Sequence, residues 1–252
     1  MTSELLYGRN AVREALRARR RTLRRLVVSR SVQESGIIAD IIRLAEQAGI
    51  PIERIERQIL DRQLRDANHQ GVMLETGPYP YVELDECLSS ANARREAALL
   101  LLLDHLQDPQ NLGTLLRTAE AVGCHGIIIP GRRAAEITPA VVNASSGAVE
   151  HLRVAMVTNL SQTIEELQHN GIWVVGLEQD ETAQDIDAVD LNLPLGLVIG
   201  AEGTGMSRLV RERCDFLVRL PIVGQIGSLN AAVAGSIAIY HAWRQRYRRY
   251  AE

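Results

Sequence analysis

The 252-residue chain contains no lysine, and all 28 of its basic residues are arginine. That absence excludes chemistry built on a lysine Schiff base, a lysine nucleophile or the lysine of a nucleotide phosphate loop. Aromatic residues are scarce, 4% of the chain, with a single phenylalanine. The three cysteines, Cys87, Cys124 and Cys214, are odd in number and widely separated. They match no zinc or redox spacing and read as reduced structural thiols of a cytoplasmic protein. The six histidines show no ligand pattern, so no metal is expected. No apolar run approaches the roughly 20 residues that span a bilayer. The longest, AALLLLL at 97–103, is strand-sized, and no membrane partner is expected. The opening MTSELLYGRN lacks a basic segment followed by an apolar one, so it does not read as a secretory signal.

What is present is unevenly distributed. The net charge of −3 conceals 14 Arg against 10 Asp and Glu in residues 1–75, a balance of +4, and 14 against 21 in residues 76–252, a balance of −7. Nine arginines fall between Arg9 and Arg30. Such a cluster suits phosphate contacts to nucleic acid, and equally a solvated helix face.

The first part reads as a compact α/β unit. GRNAVREALRA carries apolar residues at 11, 12, 15 and 16, a helical pattern. LRRLVVS, IPIERI and GVMLET read as strands, and IIADIIRLAEQAG and ILDRQLRD as helices. Gly77, Pro78 and Pro80 then break regular structure. The expected division is a first domain over 1–76, a linker over 77–96 and a second domain over 97–252. That second domain alternates apolar strands (98–104, 126–130, 152–157, 172–178 and the LGLVIG run) with helical segments. The alternation predicts a mostly parallel sheet covered by helices. TPAVVNASSGA reads as a helical or irregular segment of this domain, and the acidic EQDETAQDIDAVD as exposed surface.

Three glycine-containing loops follow predicted strands: VGLEQ (175–179), IGAEGTG (199–205) and PIVGQIGS (221–228). Ligands in open parallel sheets sit beyond the carboxyl ends of strands, so three such loops suggest one site with several walls. Residues 200–207, GAEGTGMS, approach the phosphate-loop spacing, with Met206 where its lysine would stand. In LDHLQDPQNLGTLLRTAEAVG (103–123), Asn111 is a plausible helix N-cap. Arg117 sits among Leu112, Leu115, Leu116 and Ala119, where partial burial would demand a partner; an internal salt bridge is the plain reading.

DPQNLGTLLRTAEAVGCHGIIIP, LVIGAEGTGMS and LPIVGQIGSLNAAVAGSIAIY resemble, in order, the three motifs of the SpoU/TrmH family (SPOUT superfamily) of RNA ribose 2'-O-methyltransferases. YGRNAVREAL and NHQGV resemble the small α/β substrate-binding domain of the bacterial 23S ribosomal RNA guanosine 2'-O-methyltransferases in that family. The resemblance implies an S-adenosylmethionine-dependent enzyme that needs no metal. It implies an α/β domain with a deep C-terminal trefoil knot, a homodimer, and RNA, ribosomal above all, as substrate. By motif position it implies Arg117 as central catalytic residue with Asn111, Glu202, Ser228 and Asn230. The cofactor would touch Gly200, Leu220 and Leu229, with Leu177 and Ile222 as neighbours. Arg9, Arg13, Arg20 and Arg21 are the candidate RNA contacts. A guanidinium is effectively always protonated, so phosphate binding and stabilisation of the developing alkoxide suit Arg117 better than a simple base role. Ala231 and Ala232 replace the valine and serine more usual in the third motif, which implies altered packing only. A transfer RNA 2'-O-methyltransferase and a non-catalytic RNA-binding or ribosome-assembly factor are the alternatives.

Overall fold

The computed structural model describes residues 3–65, 67–132 and 134–250, with the backbone alone for 248–250. In chain order the elements are β1 (Glu4–Tyr7), α1 (Arg9–Ala18), β2 (Leu23–Ser29), α2 (Ile37–Gln47), β3 (Ile52–Ile55), α3 (Arg57–Leu64), β4 (Val72–Thr76), α4 (Leu84–Arg94) and β5 (Leu99–Leu103). There follow α5 (Pro109–Ala121), β6 (Gly126–Pro130), α6 (Pro139–Ala144), a 3-10 turn (Ala148–His151), β7 (Val154–Val157), α7 (Leu160–His169) and β8 (Trp173–Leu177). The chain continues with β9 (Gln184–Asp185), a second 3-10 turn (Ile186–Ala188), β10 (Leu195–Ile199), α8 (Arg208–Arg213), β11 (Phe216–Arg219) and α9 (Ala231–Tyr250). These form two compact units, Met1–Pro80 with Ile137–His151, and Tyr81–Glu136 with Leu152–Glu252.

The first unit holds a four-stranded sheet in the order β1-β4-β2-β3. β4 runs antiparallel to β1 and β2, and β3 is parallel to β2. Helix α1 buries Ala11, Val12, Ala15 and Leu16, the four positions that its 3.6-residue periodicity singles out. Segment 137–151, read from the sequence as part of the second domain, packs into this unit. Gly147 makes that approach possible, because a Cβ there would stand 2.7 Å from Glu14 Cβ and 3.0 Å from the Asn10 carbonyl oxygen. The Asn143 amide also donates to the Tyr7 carbonyl at 3.0 Å.

The second unit is built on a seven-stranded sheet in the order β7-β6-β5-β10-β8-β11-β9, with every pairing parallel. LLLLL of β5 and LGLVI of β10 are buried along their whole length. Continuous apolar runs of this kind mark strands covered on both faces. β10 inserts between β5 and β8, so the strand order departs from chain order beside it and leaves a crevice at the carboxyl ends. The span 77–96, read as linker, contains α4. A reciprocal cap between Glu83 and Glu86 starts this helix, and Cys87, Ser90 and Ala91 form its buried face. Such small side chains give little apolar periodicity, which hides the helix in the sequence. They let it come close to β6, where a Cβ on Gly126 would lie 2.4 Å from Cys87 Cβ. The acidic stretch is only partly surface: β9 pairs with β11, and Ala183 and Ile186 are buried. Helix α9 lies tight on α5, where Thr118 Oγ1 donates to Ser236 Oγ at 3.0 Å.

Candidate functional site

The three glycine-bearing loops converge. Beyond the carboxyl ends of β8, β10 and β11, they enclose a cavity of about 360 Å³, within the range typical of small-molecule sites. Leu177, Ile199, Gly200, Leu220, Ile222 and Leu229 form its apolar wall. Glu178, Glu202, Ser228 and Asn230 supply polar groups. All five residues expected at the cofactor, Gly200, Leu220, Leu229, Leu177 and Ile222, line this one cavity, as do Glu202, Ser228 and Asn230. A second recess of about 370 Å³ shares Ala201 and Glu202 with the first and adds His105, Asp108, Asn111 and Thr204.

A side-chain joint connects the motifs. Asn230 Nδ2 donates to Asn111 Oδ1 at 3.0 Å and also to Glu202 Oε1. Its Oδ1 accepts from Ala232 N at 3.0 Å and Val233 N at 3.1 Å, which caps α9. The amide thus meets two acceptors with its NH2 and two donors with its oxygen, and this fixes its orientation. Asn111 is free for the joint because it does not cap α5. The cap is Asp108, whose carboxylate accepts from Gln110 N at 3.3 Å and Asn111 N at 3.0 Å. Pro109, already restricted to a helical φ, takes the first helical position. The sequence reading of Asn111 as cap is corrected by three residues.

GAEGTGMS is no phosphate cradle. Ala201 and Gly205 exchange backbone hydrogen bonds at 3.1 and 3.0 Å, which folds the loop into a tight turn with Gly203 and Gly205 at positive φ. Met206 is buried and turns inward, so that a Cβ on Gly176 would meet its Cε at 2.6 Å. Glu178 Oε2 accepts from Met206 N at 3.3 Å and ties the turn to the end of β8. The turn after β8 is itself pinned at Asp180. Hydrogen bonds from the Thr182 hydroxyl and backbone, and then from Arg211, hold the Asp180 carboxyl down to about 2.

Arg117 stands elsewhere. It is exposed on α5 and lines neither recess. At 100° per residue it points about 150° away from the centre of the Leu112, Leu115, Leu116, Ala119 face, not among those residues. The expectation of partial burial is corrected accordingly.

The arginine cluster of the first unit also divides. The Arg21 side chain is fully buried, with Nε donating to both Glu150 oxygens at 2.9 and 3.0 Å and Nη1 to Glu4 at 2.6 Å. Burial pushes the Glu150 carboxyl up, while Arg21 opposes the shift. Arg21 is therefore a structural ion pair and not an RNA contact; its partner lies 129 residues away, which no local pattern signals. Arg20 donates to the Tyr79 hydroxyl and the Pro80 carbonyl, both at 3.3 Å. Arg13 bonds Glu14 and remains partly exposed. Arg9 lines an open surface recess with Asn10, Gln70 and Arg57. Arg57, whose side chain is 61% exposed, was missed because it lies outside the N-terminal cluster. Arg246, from the basic final helix, is buried and donates to the carbonyls of Ala97, Ala98 and Leu193. The side chains at 248 and 249 lie outside the described residues. Glu178 and Ile199 lie in the loops 175–179 and 199–205 that the sequence reading selected as walls of the site, but neither was singled out as a site residue. Among the described residues, no group of three or more His, Cys, Asp or Glu is placed to hold a metal.

Residues 98–240 match the model of the SpoU rRNA Methylase family, and residues 5–82 the model for RNA 2'-O ribose methyltransferase substrate binding. The chain belongs to the SpoU/TrmH family of RNA methyltransferases. A Bacillus subtilis (strain 168) protein, YacO, that carries the name of TrmH family tRNA/rRNA methyltransferase is 45% identical over 96% of each chain. The SpoU methyltransferase AviRb from Streptomyces viridochromogenes, solved with AdoMet, superposes with a TM-score of 0.80 at 26% identity over 98% of this chain and 91% of its own. The TrmH/SpoU tRNA modifying enzyme of A. aeolicus aligns over 65% of this chain and 85% of its own, with a TM-score of 0.54 at 25% identity. In this SpoU/TrmH protein the second and third motifs wall the cavity together with the loop after β8, and the first and second motifs wall the recess beside it.

Proposed function

We propose that the protein transfers a methyl group from S-adenosylmethionine to the 2'-hydroxyl of a ribose in RNA, at a guanosine of 23S ribosomal RNA. The observation that carries this reading is the Asn230 joint, which links one residue of each motif between an apolar cavity and a polar recess. The residues fit the donor. Leu177, Ile199, Leu220, Ile222 and Leu229 suit an adenine, and the Glu178 and Glu202 carboxylates suit a cationic sulfonium. When bound, the donor supplies an electrophilic methyl carbon. Asn111, Ser228 and Asn230 then orient the ribose, so that the chain contributes mainly position. Arg117, although it lines neither recess, is read by its motif position as the residue that holds an RNA phosphate and stabilises charge on the 2'-oxygen.

The assembly proposed is a homodimer. On α9, Val233, Ile237 and Tyr240 are exposed at spacings of four and three residues, an apolar stripe suited to a second copy. The last loop and α9 are read as the knotted closure that the family resemblance implies. Arg9 and Arg57 are the proposed RNA contacts of the first unit. Ribosomal RNA is preferred over transfer RNA because the tRNA-modifying relative aligns over only about two thirds of this chain, whereas a substrate-binding model matches residues 5–82. The test is incubation with labelled S-adenosylmethionine and undermodified total RNA, followed by mapping of the 2'-O-methyl site. A single methylated guanosine in 23S RNA is the expected result. Labelling of tRNA alone, or no S-adenosylmethionine binding by calorimetry, would sink it.

A further inference from the structure

The turn that carries Glu202 is clamped from both sides. β5, β10 and β8 run parallel and in register, with Leu103, Ile199 and Leu177 in their last paired row. The next residues outward are Asp104, Gly200 and Glu178, so a carboxylate stands on each side of the glycine that begins the turn. The chain then folds back over Gly200, where a Cβ would collide with the Gly205 carbonyl carbon and with Met206 N. This return brings two consecutive amides between the two carboxylates. Met206 N donates to Glu178 Oε2 at 3.3 Å, and Ser207 N donates to Asp104 Oδ2 at 2.6 Å. The Asp104 bond is the shorter one and is well buried, since Asp104 is only 1% exposed. Its own N–H donates to the Ile199 carbonyl at 2.8 Å, and its Oδ1 lies 2.5 Å from His105 Nδ1. A charged acceptor strengthens such a bond, and burial removes competition from water.

We propose that Asp104 is a positioning residue of the methyl-donor cavity, acting through Ser207 N to hold the 200–207 turn in its ligand-ready shape. The role rests on the methyl-transfer reading above. Asp104 lines neither the cavity nor the recess that contains Asn111, so it reaches the reaction only through the turn. Glu178 lines the cavity itself, which leaves Asp104 as the half of the clamp that separates positioning from contact. The turn gives Gly200, Ala201, Gly203 and Gly205 to the cavity wall and sets Glu202 where Asn230 donates to it. The Ala201–Gly205 backbone pair closes the turn, but two glycines at positive φ open many other conformations to it. An anchor at residue 207 selects one of them. A site whose competent form is only fractionally populated binds more weakly by that fraction.

The bond can be removed from either end in the full-length protein. Asp104→Ala deletes the acceptor, whereas Asp104→Asn keeps an oxygen for Ser207 N. Ser207 has φ −61° and ψ 148°, values that proline adopts, and its side chain makes no capping bond. Ser207→Pro therefore deletes the donor, and Ser207→Ala is the comparison that retains the N–H. Calorimetry at a temperature where the variants are folded is expected to give Asp104→Ala an S-adenosylmethionine Kd about 10-fold or more above that of the wild type. Asp104→Asn is expected to recover most of that loss. The same ratio is expected between Ser207→Pro and Ser207→Ala, which keeps the proposal testable if Asp104→Ala does not fold. The kcat is expected to fall with the loss of placement while KM for RNA is unchanged. A merely structural aspartate would lower the thermal midpoint and leave Kd and kcat of the folded protein as they are. Equal Kd in Ser207→Pro and Ser207→Ala, or a wild-type Kd in Asp104→Ala, would overturn the role alone. Absence of S-adenosylmethionine binding by the wild-type protein would overturn the parent reading and this role with it.

Discussion

Asn230 Nδ2 stands 3.0 Å from Asn111 Oδ1, a hydrogen bond between residues 119 apart that joins the starts of α5 and α9 at the mouth of the cavity. The same amide caps α9. Asn230→Ala removes both functions. Loss of the cap costs about 1 kcal/mol, a modest change in thermal midpoint, whereas methyl transfer is expected to fall far more than that destabilisation explains. Asn230→Asp keeps an N-cap oxygen and sets a carboxylate against Glu202; it is expected to retain stability better than alanine and still lose transfer. Thermal unfolding and initial rates on the same samples separate the two effects.

Arg117→Ala is expected to shift unfolding in urea by no more than about 1 kcal/mol, since the side chain is exposed and away from the apolar face of α5. If it stabilises the reacting oxygen, transfer falls about 10²–10³-fold. Equal rates in mutant and wild type would remove Arg117 from the chemistry.

The Arg21–Glu150 pair behaves in the opposite way. Both side chains are buried, so truncating Arg21 strands the Glu150 charge and truncating Glu150 leaves the Arg21 charge with Glu4 alone. Arg21→Ala or Glu150→Ala is expected to cost about 3–5 kcal/mol, visible in the denaturant midpoint. Arg9→Ala combined with Arg57→Ala should leave that midpoint in place and reduce the salt dependence of RNA binding by about one to two released counterions.

Asp180 provides a pH signature. Its carboxyl is held at about 2, below its ordinary value of 3.8, by Thr182 and then Arg211. Its contribution to stability is thus complete above 3.8 and is lost as pH falls through about 2. Asp180→Asn is expected to abolish that portion of the acid dependence, read as hydrogen-exchange protection of residues 178–185 across an acid titration.

Thiol chemistry should be silent in the native state. Burial pushes both the Cys124 and Cys214 thiols up to about 12. The thiolate is the reactive form, so alkylation at mildly alkaline pH is expected to proceed only after unfolding. Rapid modification of native protein at either cysteine would contradict the described packing.

Much of this architecture was legible as pattern. The α1 face, the β5 and β10 runs and the three post-strand glycine loops are local periodicities, and secondary structure answers to local periodicity. The cavity residues Gly200, Leu220, Leu229, Leu177 and Ile222 were also accessible, because motif positions carry them. Helix α4 was invisible, since its buried side of Cys87, Ser90 and Ala91 is small and weakly apolar. Asp108 displaced Asn111 as cap because the choice between neighbouring capping residues turns on backbone geometry.

By itself the sequence determined the parallel α/β class, the absence of lysine chemistry and the set of motif residues, since each is a property of short stretches. Tertiary structure alone decided which of those residues meet. It buried Arg21 on Glu150 instead of leaving it to RNA, turned Met206 into the core, set Arg117 outside the cavity and placed His105 against Asp104 beside Asn111 and Glu202. Burial and side-chain pairing depend on what the rest of the chain brings close, and residues more than 100 positions away leave no trace in a local pattern.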